Sequence, residues 1–281
     1  MLFSDSDIFL VLSSSFVNFV TFYGTIHSKA VISAGWGWQG ELVAGFLLLS
    51  YNKPMAKAVI VYGPPGSGKG TQAELLERNY GFIHFDTGRF LESLLRSEKA
   101  KTDPVLMREK ALFDSGKLCT PEWVLSIAKD EAVRIAKAGF DIVFSGSPRT
   151  MFEAFGEGKT TGLLETLIGA YGKENINVIM LKVADETSIK RNSGRLVCSV
   201  CGLPKLESVS LPHCALCAGD MRTRSLDSVD VIKVRLTQYR DRTFPIIDGM
   251  KKQGFNVTEV DGEPLPYKVH AEVVRALKLI K

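Results

Sequence analysis

Residues 59–71 constrain the fold more than any other stretch of the chain. The apolar run Val59, Ile60, Val61, Tyr62 ends at Gly63 and is followed by Pro64, Pro65, Gly66, Ser67, Gly68 and Lys69. Residues 72–78 then continue with good helix formers. The order is strand, glycine-rich loop, helix, and the loop spells G-x-x-x-x-G-K, the phosphate-cradling pattern. Glycines let consecutive backbone N–H groups turn toward a polyphosphate with no Cβ in the way. The helix that starts near Lys69 aims its unpaired N–H groups and positive dipole end at the same phosphates. Lys69 adds a mobile point charge. One detail departs from the common form: Gly70 follows the lysine, so the hydroxyl arrives one position later, at Thr71. The loop implies a nucleoside triphosphate site built from Gly63, Gly66, Ser67, Gly68, Lys69, Gly70 and Thr71.

Downstream, strand and helix signals alternate. Short apolar runs at residues 81–85, 141–144, 178–183 and 255–260 read as strands. Helices are expected from Asp86 to about residue 97, from Asp103-Pro104 to Gly116, and from Thr120-Pro121 to about residue 138. Residues 155–161 read as a glycine-rich loop, and a helix follows over 163–170. Asp185 reads as the cap of a helix ending near Ser193, residues 227–253 as a long helix bent or interrupted at Pro245, and residues 269–280 as a last helix. This alternation predicts an α/β fold, a parallel sheet with helices on both faces. Ligand loops of such sheets gather at the carboxyl ends of the strands. The loops at 63–71, 87–88, 145–150 and 261–262 are therefore expected along one rim.

The 281 residues carry a net charge of only +4, and no basic run with interleaved aromatics, which argues against a nucleic-acid partner. Four of the five cysteines form Cys198-x-x-Cys201 and Cys214-x-x-Cys217. Two such knuckles suit one tetrahedral structural Zn²⁺, with two disulfides or free thiols as alternatives. His213 adjoins Cys214 and is a competing ligand or a solvent-facing neighbour. Residues 1–54 differ from the rest: from Ile8 to Ser28 there is no Asp, Glu, Lys or Arg. They read as an upstream extension of a chain whose translation starts at Met55, or as a membrane anchor; no basic segment precedes the apolar run as a signal peptide requires.

The glycine after Lys69, the Asp86-Thr87-Gly88 turn, the run from Ser115 to Thr120 and the motif Gly146-Ser147-Pro148-Arg149-Thr150 together resemble the adenylate kinase family. So do Asp185-Glu186 with Arg191, Gly194-Arg195, then Arg224 to Asp227, Arg235 with Tyr239, and Asp261-Gly262. The resemblance runs in order from about residue 56 to the C-terminus. It implies a nucleoside monophosphate kinase domain over 55–281, with a monophosphate-binding region at 86–116 and a lid at 195–224. It implies reversible phosphoryl transfer from ATP, with Mg²⁺, to a nucleoside monophosphate, by a cytoplasmic monomer.

By the same resemblance Lys69, Arg149, Arg195, Arg224 and Arg235 are the catalytic set: Lys69 serves the β and γ phosphates, Arg149 holds the monophosphate's phosphate, Arg195, Arg224 and Arg235 converge on the transferring group, and Arg191 stacks on the ATP base. Thr87, Gly88, Cys119, Gly146, Arg149, Glu153, Arg224 and Arg235 face the monophosphate. The zinc lid is also a family trait. Several positions depart from the family pattern. Ser145 replaces an Asp that orients Mg²⁺ through its waters, and Glu92 replaces a phosphate-gripping Arg, for which Arg89 or Arg96 could substitute. Glu153 replaces a base-reading Gln, Leu226 a lid Asp, and Ser147 a Phe. These changes raise two readings besides an unmodified adenylate kinase: a different acceptor base, or a catalytically impaired nucleotide-binding protein.

Overall fold

The computed structural model describes residues 56–115, 117–205, 211–223 and 227–279. The chain divides into two units, Met1–Pro54 and Met55–Lys281, and the fold described belongs to the second. The readings placed on residues 1–54, Gly116, Arg224 and Leu226 lie outside the described residues.

Five strands form one sheet, β1 (Ala58–Tyr62), β2 (Ile83–Phe85), β3 (Ile142–Phe144), β6 (Ile176–Lys182) and β9 (Asn256–Asp261), in the order β2-β3-β1-β6-β9. Every pairing is parallel. The central strands are continuous apolar runs because both faces are covered. Along β1 the side chains alternate: Ala58, Ile60 and Tyr62 enter one core, and Val59 and Val61 the other. The first core is closed by α4 (Pro121–Lys137), α6 (Leu163–Tyr171) and α9 (Phe244–Lys252), through Leu125, Ala132, Leu167, Ile246 and Met250. The second is closed by α1 (Lys69–Tyr80) and α10 (Pro266–Ala276), through Ala73, Leu76, Val269 and Val273.

Helices α2 (Thr87–Leu95) and α3 (Pro104–Asp114) form an insert with a core of its own. Leu91, Leu95, Ala100 and Leu106 pack there against Cys119 and Val124. Burying each leucine contributes about 1.5–3 kcal/mol, enough to hold so small a cluster together. Both helices start where the sequence signals them. The Asp86 carboxylate accepts from the Arg89 N–H, and Asp103 accepts from the N–H groups of Val105 and Leu106, with Pro104 in the first turn.

Three local readings change, and a fourth, the helix interrupted at Pro245, is sharpened. Residues 155–161, expected as a loop, continue α5 (Met151–Phe155) into a small hairpin of β4 (Gly156–Glu157) and β5 (Thr160–Thr161). Helix α7 (Asp185–Ser193) takes Ala184 as its N-cap with no side-chain cap, because the Asp185 carboxylate is turned to Arg240. Helix α10 begins at Pro266, whose fixed φ suits a first turn, rather than at residue 269. The long helix is α8 (Val229–Gln238) joined to α9 through one π turn, Tyr239–Thr243, in which the Phe244 N–H donates to the Tyr239 carbonyl. Pro245 has no N–H to give and its ring would strike the carbonyl four residues back. The wider turn accommodates both defects.

Candidate active site

The phosphate loop leaves β1 at Gly63 and enters α1 at Lys69. Gly68 is the N-cap of α1 at φ +92°, and Gly66 sits at φ +78°. A Cβ at Gly66 would come within 2.9 Å of the Ser188 carbonyl and closer still to the Asn192 side-chain amide, so no larger residue fits. Helix α7 holds the loop from behind through a hydrogen bond from the Ser188 hydroxyl to the Pro65 carbonyl. The Lys69 ammonium donates to the carbonyls of Gly63 and Pro64, at 2.8 and 2.9 Å, and so folds back over its own loop. The Ser67 hydroxyl is buried without a hydrogen-bond partner among the described residues, and Gly70 and Thr71 open the helix beside it. Arg191 reaches from α7 across the rim to the carbonyls of Gly262 and Glu263, at 2.8 and 2.7 Å. The loops after β1, β6 and β9 thereby close around one position.

Three arginines surround Lys69. Burial first, and then the positive fields of Arg235, Arg149 and Arg195, pull its ammonium from the ordinary 10.5 down to about 7, with Asp86 opposing. Asp86 is one carboxylate that balances this cluster of cations, and another lies at its edge. There the carboxylate of Asp227, almost fully buried, takes Arg195 in a two-pronged pair at 2.7 and 3.0 Å and Arg235 at 3.6 Å. Asp227 thus fixes Arg195 and the arginine of α8 at one point.

Arg149 follows the cis Ser147–Pro148 bond and donates through Nε to the Gly146 carbonyl at 2.6 Å. Its guanidinium lies 3.3 Å from where a Cβ on Gly146 would stand and 3.9 Å from one on Gly88, which brings it to the start of α2. Its own carbonyl accepts from the Thr243 hydroxyl at 3.1 Å, so the π turn buttresses this loop. Thr87 is buried beside it, its hydroxyl without a partner among the described residues.

Two further carboxylates are buried, Glu153 and Glu109. Glu153 accepts from the Arg149 N–H at 2.8 Å and from the Thr150 hydroxyl at 3.2 Å, while Thr150 caps α5 by accepting from the Glu153 N–H. Burial raises its carboxyl above the ordinary 4.5. Read from sequence as a base-reading residue, Glu153 here also helps to cap α5, its carboxylate taking the N–H of Arg149, one residue before the Thr150 N-cap. Glu109 has no exposed surface; it accepts from the Thr120 N–H at 2.7 Å and hydroxyl at 2.6 Å, and pairs with Arg108 at 2.8 Å. Cys119 packs against it, and burial, then the Glu109 charge, pushes the thiol up to about 11. The two arginines suggested as replacements at Glu92 are engaged elsewhere: Arg96 with Glu92 itself at 2.8 Å, and Arg89 with Glu74 at 3.1 Å.

After α7, β7 (Leu196–Cys198) pairs antiparallel with β8 (Met221–Thr223), in the stretch expected as a lid. The four sulfurs of Cys198, Cys201, Cys214 and Cys217 lie within 4.8 Å of one another, and all are free thiols. Cys198 to Cys217 is 3.4 Å and Cys201 to Cys214 is 3.6 Å. Tetrahedral Zn–S bonds require sulfurs roughly 3.8 Å apart, so the donor set fits one Zn²⁺. Amide N–H groups of Cys201 and Val200 point at the Cys198 sulfur, at 3.4 Å each, and favour its thiolate. His213 faces Asp220 at 3.2 Å rather than the sulfurs. The first knuckle comes over α2: a Cβ on Gly202 would lie 3.8 Å from Cζ of Arg89.

A parallel sheet with a glycine-rich loop, a lysine and converging arginines at one rim defines a P-loop phosphotransferase site. The family model for adenylate kinase matches residues 61–255. An adenylate kinase of Kluyveromyces lactis is 31% identical over 228 residues, covering 80% of this chain and 95% of its own. One of Caldicellulosiruptor saccharolyticus is 32% identical over 228 residues, covering 78% and 98%. One of Magnetococcus marinus is 34% identical over 210 residues, covering 73% and 92%. The chain belongs to the adenylate kinase family and is a nucleoside monophosphate kinase. No helix among the described residues is long and apolar enough to cross a membrane.

Proposed function

We propose that the chain catalyses reversible phosphoryl transfer between ATP and AMP, giving ADP. The observation that carries this reading is the set of three arginines, 149, 195 and 235, whose fields converge on Lys69. Phosphoryl transfer needs little covalent help but strong stabilisation of spread negative charge, which forked guanidinium donors supply. Lys69 and the backbone N–H groups of residues 66–71 hold the β and γ phosphates. Arg191 covers the ATP base, and Arg195, Arg235 and Arg224 hold the transferring group. Arg149 holds the acceptor's phosphate, and Thr87, Gly88, Cys119, Gly146 and Glu153 line the acceptor pocket.

Mg²⁺ accompanies ATP in this reading and neutralises phosphate charge. The thiolates of Cys198, Cys201, Cys214 and Cys217 hold a structural Zn²⁺, which staples a lid that has little apolar interior. The working arrangement is a monophosphate-binding region at 86–116 and a lid at 195–224 on the domain 55–281. It requires no second subunit and no nucleic acid. Initial rates of ADP formation from ATP with AMP, GMP, CMP, UMP or dTMP test the reading. Turnover with AMP at least 10-fold above every other acceptor is expected, and ATP binding without turnover on any acceptor would overturn it.

A further inference from the structure

The family pattern places a metal-orienting Asp where this chain has Ser145, and the structure shows what that position now does. The Ser145 hydroxyl is buried and lies 2.7 Å from Nε2 of His84, so an imidazole occupies it. A carboxylate stands one strand over. Strand β2 pairs with β3 so that His84 is opposite Val143 and Phe85 opposite Phe144. The next residues, Asp86 and Ser145, therefore leave the sheet side by side at its carboxyl edge.

Asp86 has capacity to spare. Its Oδ1 accepts the Arg89 N–H at 3.1 Å and caps α2. Among the described residues its Oδ2 has only a 3.9 Å ion pair with Nε of Arg89, whose guanidinium also pairs with Glu74 at 3.1 Å. Asp86 is also the carboxylate whose field reaches Lys69. The hydroxyls of Thr87, next in the chain, and of Ser67, on the phosphate loop, are both 2% exposed and without partners among the described residues. Buried hydroxyls in that condition cost free energy until a polar ligand reaches them.

We propose that Asp86 orients the water shell of the divalent cation that accompanies ATP, a task displaced from position 145 to the neighbouring strand end. The inference rests on the kinase reading. A carboxylate that holds metal-bound water acts through charge and a lone pair, whereas a helix cap requires only an oxygen acceptor. Asn and Ser cap as well as Asp. Asp86→Asn and Asp86→Ser therefore remove the proposed role and leave the cap.

The test uses Mn²⁺ as probe, followed by electron paramagnetic resonance in the complex of the full chain with ATP. Metal-free ATP affinity and melting temperature are measured alongside. Both variants are expected to keep the melting temperature, while Mn²⁺ binding to the ATP complex weakens by about 10-fold or more beyond any change in metal-free ATP affinity, the usual range for a group that orients a metal's ligands. The double variant Asp86→Ser/Ser145→Asp should recover Mn²⁺ affinity to within about 3-fold, since it returns the carboxylate to the adjacent strand end. Unchanged Mn²⁺ affinity in Asp86→Asn, or no recovery in the double variant, would overturn the proposal with the kinase reading intact. Failure of the unaltered chain to bind ATP would overturn both.

Discussion

The two sides of the cleft are built differently. On the side proposed for ATP, neighbouring elements hold one another by polar contacts: the buried Ser188 to the Pro65 carbonyl, Arg191 to Gly262 and Glu263, and Asp227 to Arg195 and Arg235. On the side proposed for the acceptor, α2 and α3 form a cluster of a few apolar residues, tied to the rest by the half-exposed Arg89–Glu74 pair and by the hydrogen bonds of Glu109 to Thr120. The donor cradle is pre-organised by the main sheet, and the acceptor wall is a small body that stands or falls with its own core. Pre-organised charge is what stabilises a phosphoryl transition state, so the ATP side should be the less tolerant of change.

The sharpest way to break the comparison is Lys69→Met. It removes the charge at the centre of the arginine ring without touching the sheet. We expect kcat to fall by about 10³-fold or more, on the scale seen when one transition-state donor is lost. The melting temperature should hold or rise, because a buried cation facing three others is gone. A variant that retains a tenth of the activity would show that the arginines alone carry the site.

Glu109→Ala tests the other side, with a smaller effect. It leaves the Thr120 N–H and hydroxyl without their acceptor in a buried place, a loss of about 1–3 kcal/mol. Denaturant titration should report this destabilisation, and KM for AMP should rise while KM for ATP holds. Equal changes in both KM values would contradict the separateness of the insert. The pH dependence has a definite sign. Burial raises the Glu109 carboxyl, but the Thr120 hydroxyl and amide, with Arg108, outweigh it and hold the group below the ordinary 4.5. Its contribution is therefore present above about 4.5 and lost as the pH falls through the lower folded value. Glu109→Gln should flatten that acid limb and keep part of the stability.

The same contrast explains what could be read from the chain. The phosphate loop, Arg149 and the paired cysteine knuckles are local patterns, each governed by backbone or ligand geometry over a few residues. So is the Thr150-x-x-Glu153 capping pattern, a signal present in the sequence but read there as base recognition. Glu109 sits in the charged run Arg108-Glu109-Lys110 and looks like a surface residue until the fold brings Thr120 against it. Asp227 becomes the tie between Arg195 and Arg235 only through tertiary packing. Asp185 had the residue type and place of a cap, but Arg240, 55 positions on, competes for its carboxylate. Propensity marks these sites; only the fold decides which partner wins.

The finest test of the donor side concerns protons. With the phosphates absent, Lys69 titrates at about 7, since burial and three guanidinium groups oppose its charge. In the unfolded chain it titrates near 10.5. Between these values the unfolded chain holds a proton that the folded chain lacks, so this group makes folding more favourable as the pH rises from 7 toward 10.5. A bound triphosphate reverses the local field and restores the charge. ATP binding should therefore take up a proton at pH 8, approaching one per site, and much less at pH 6. Calorimetry in buffers of different ionisation enthalpy reads that number directly. Lys69→Met should abolish the pH-dependent part. Uptake that stays the same from pH 6 to pH 8 would mean that the arginine ring does not press on Lys69, and the donor side would lose the feature that most distinguishes it from the acceptor side.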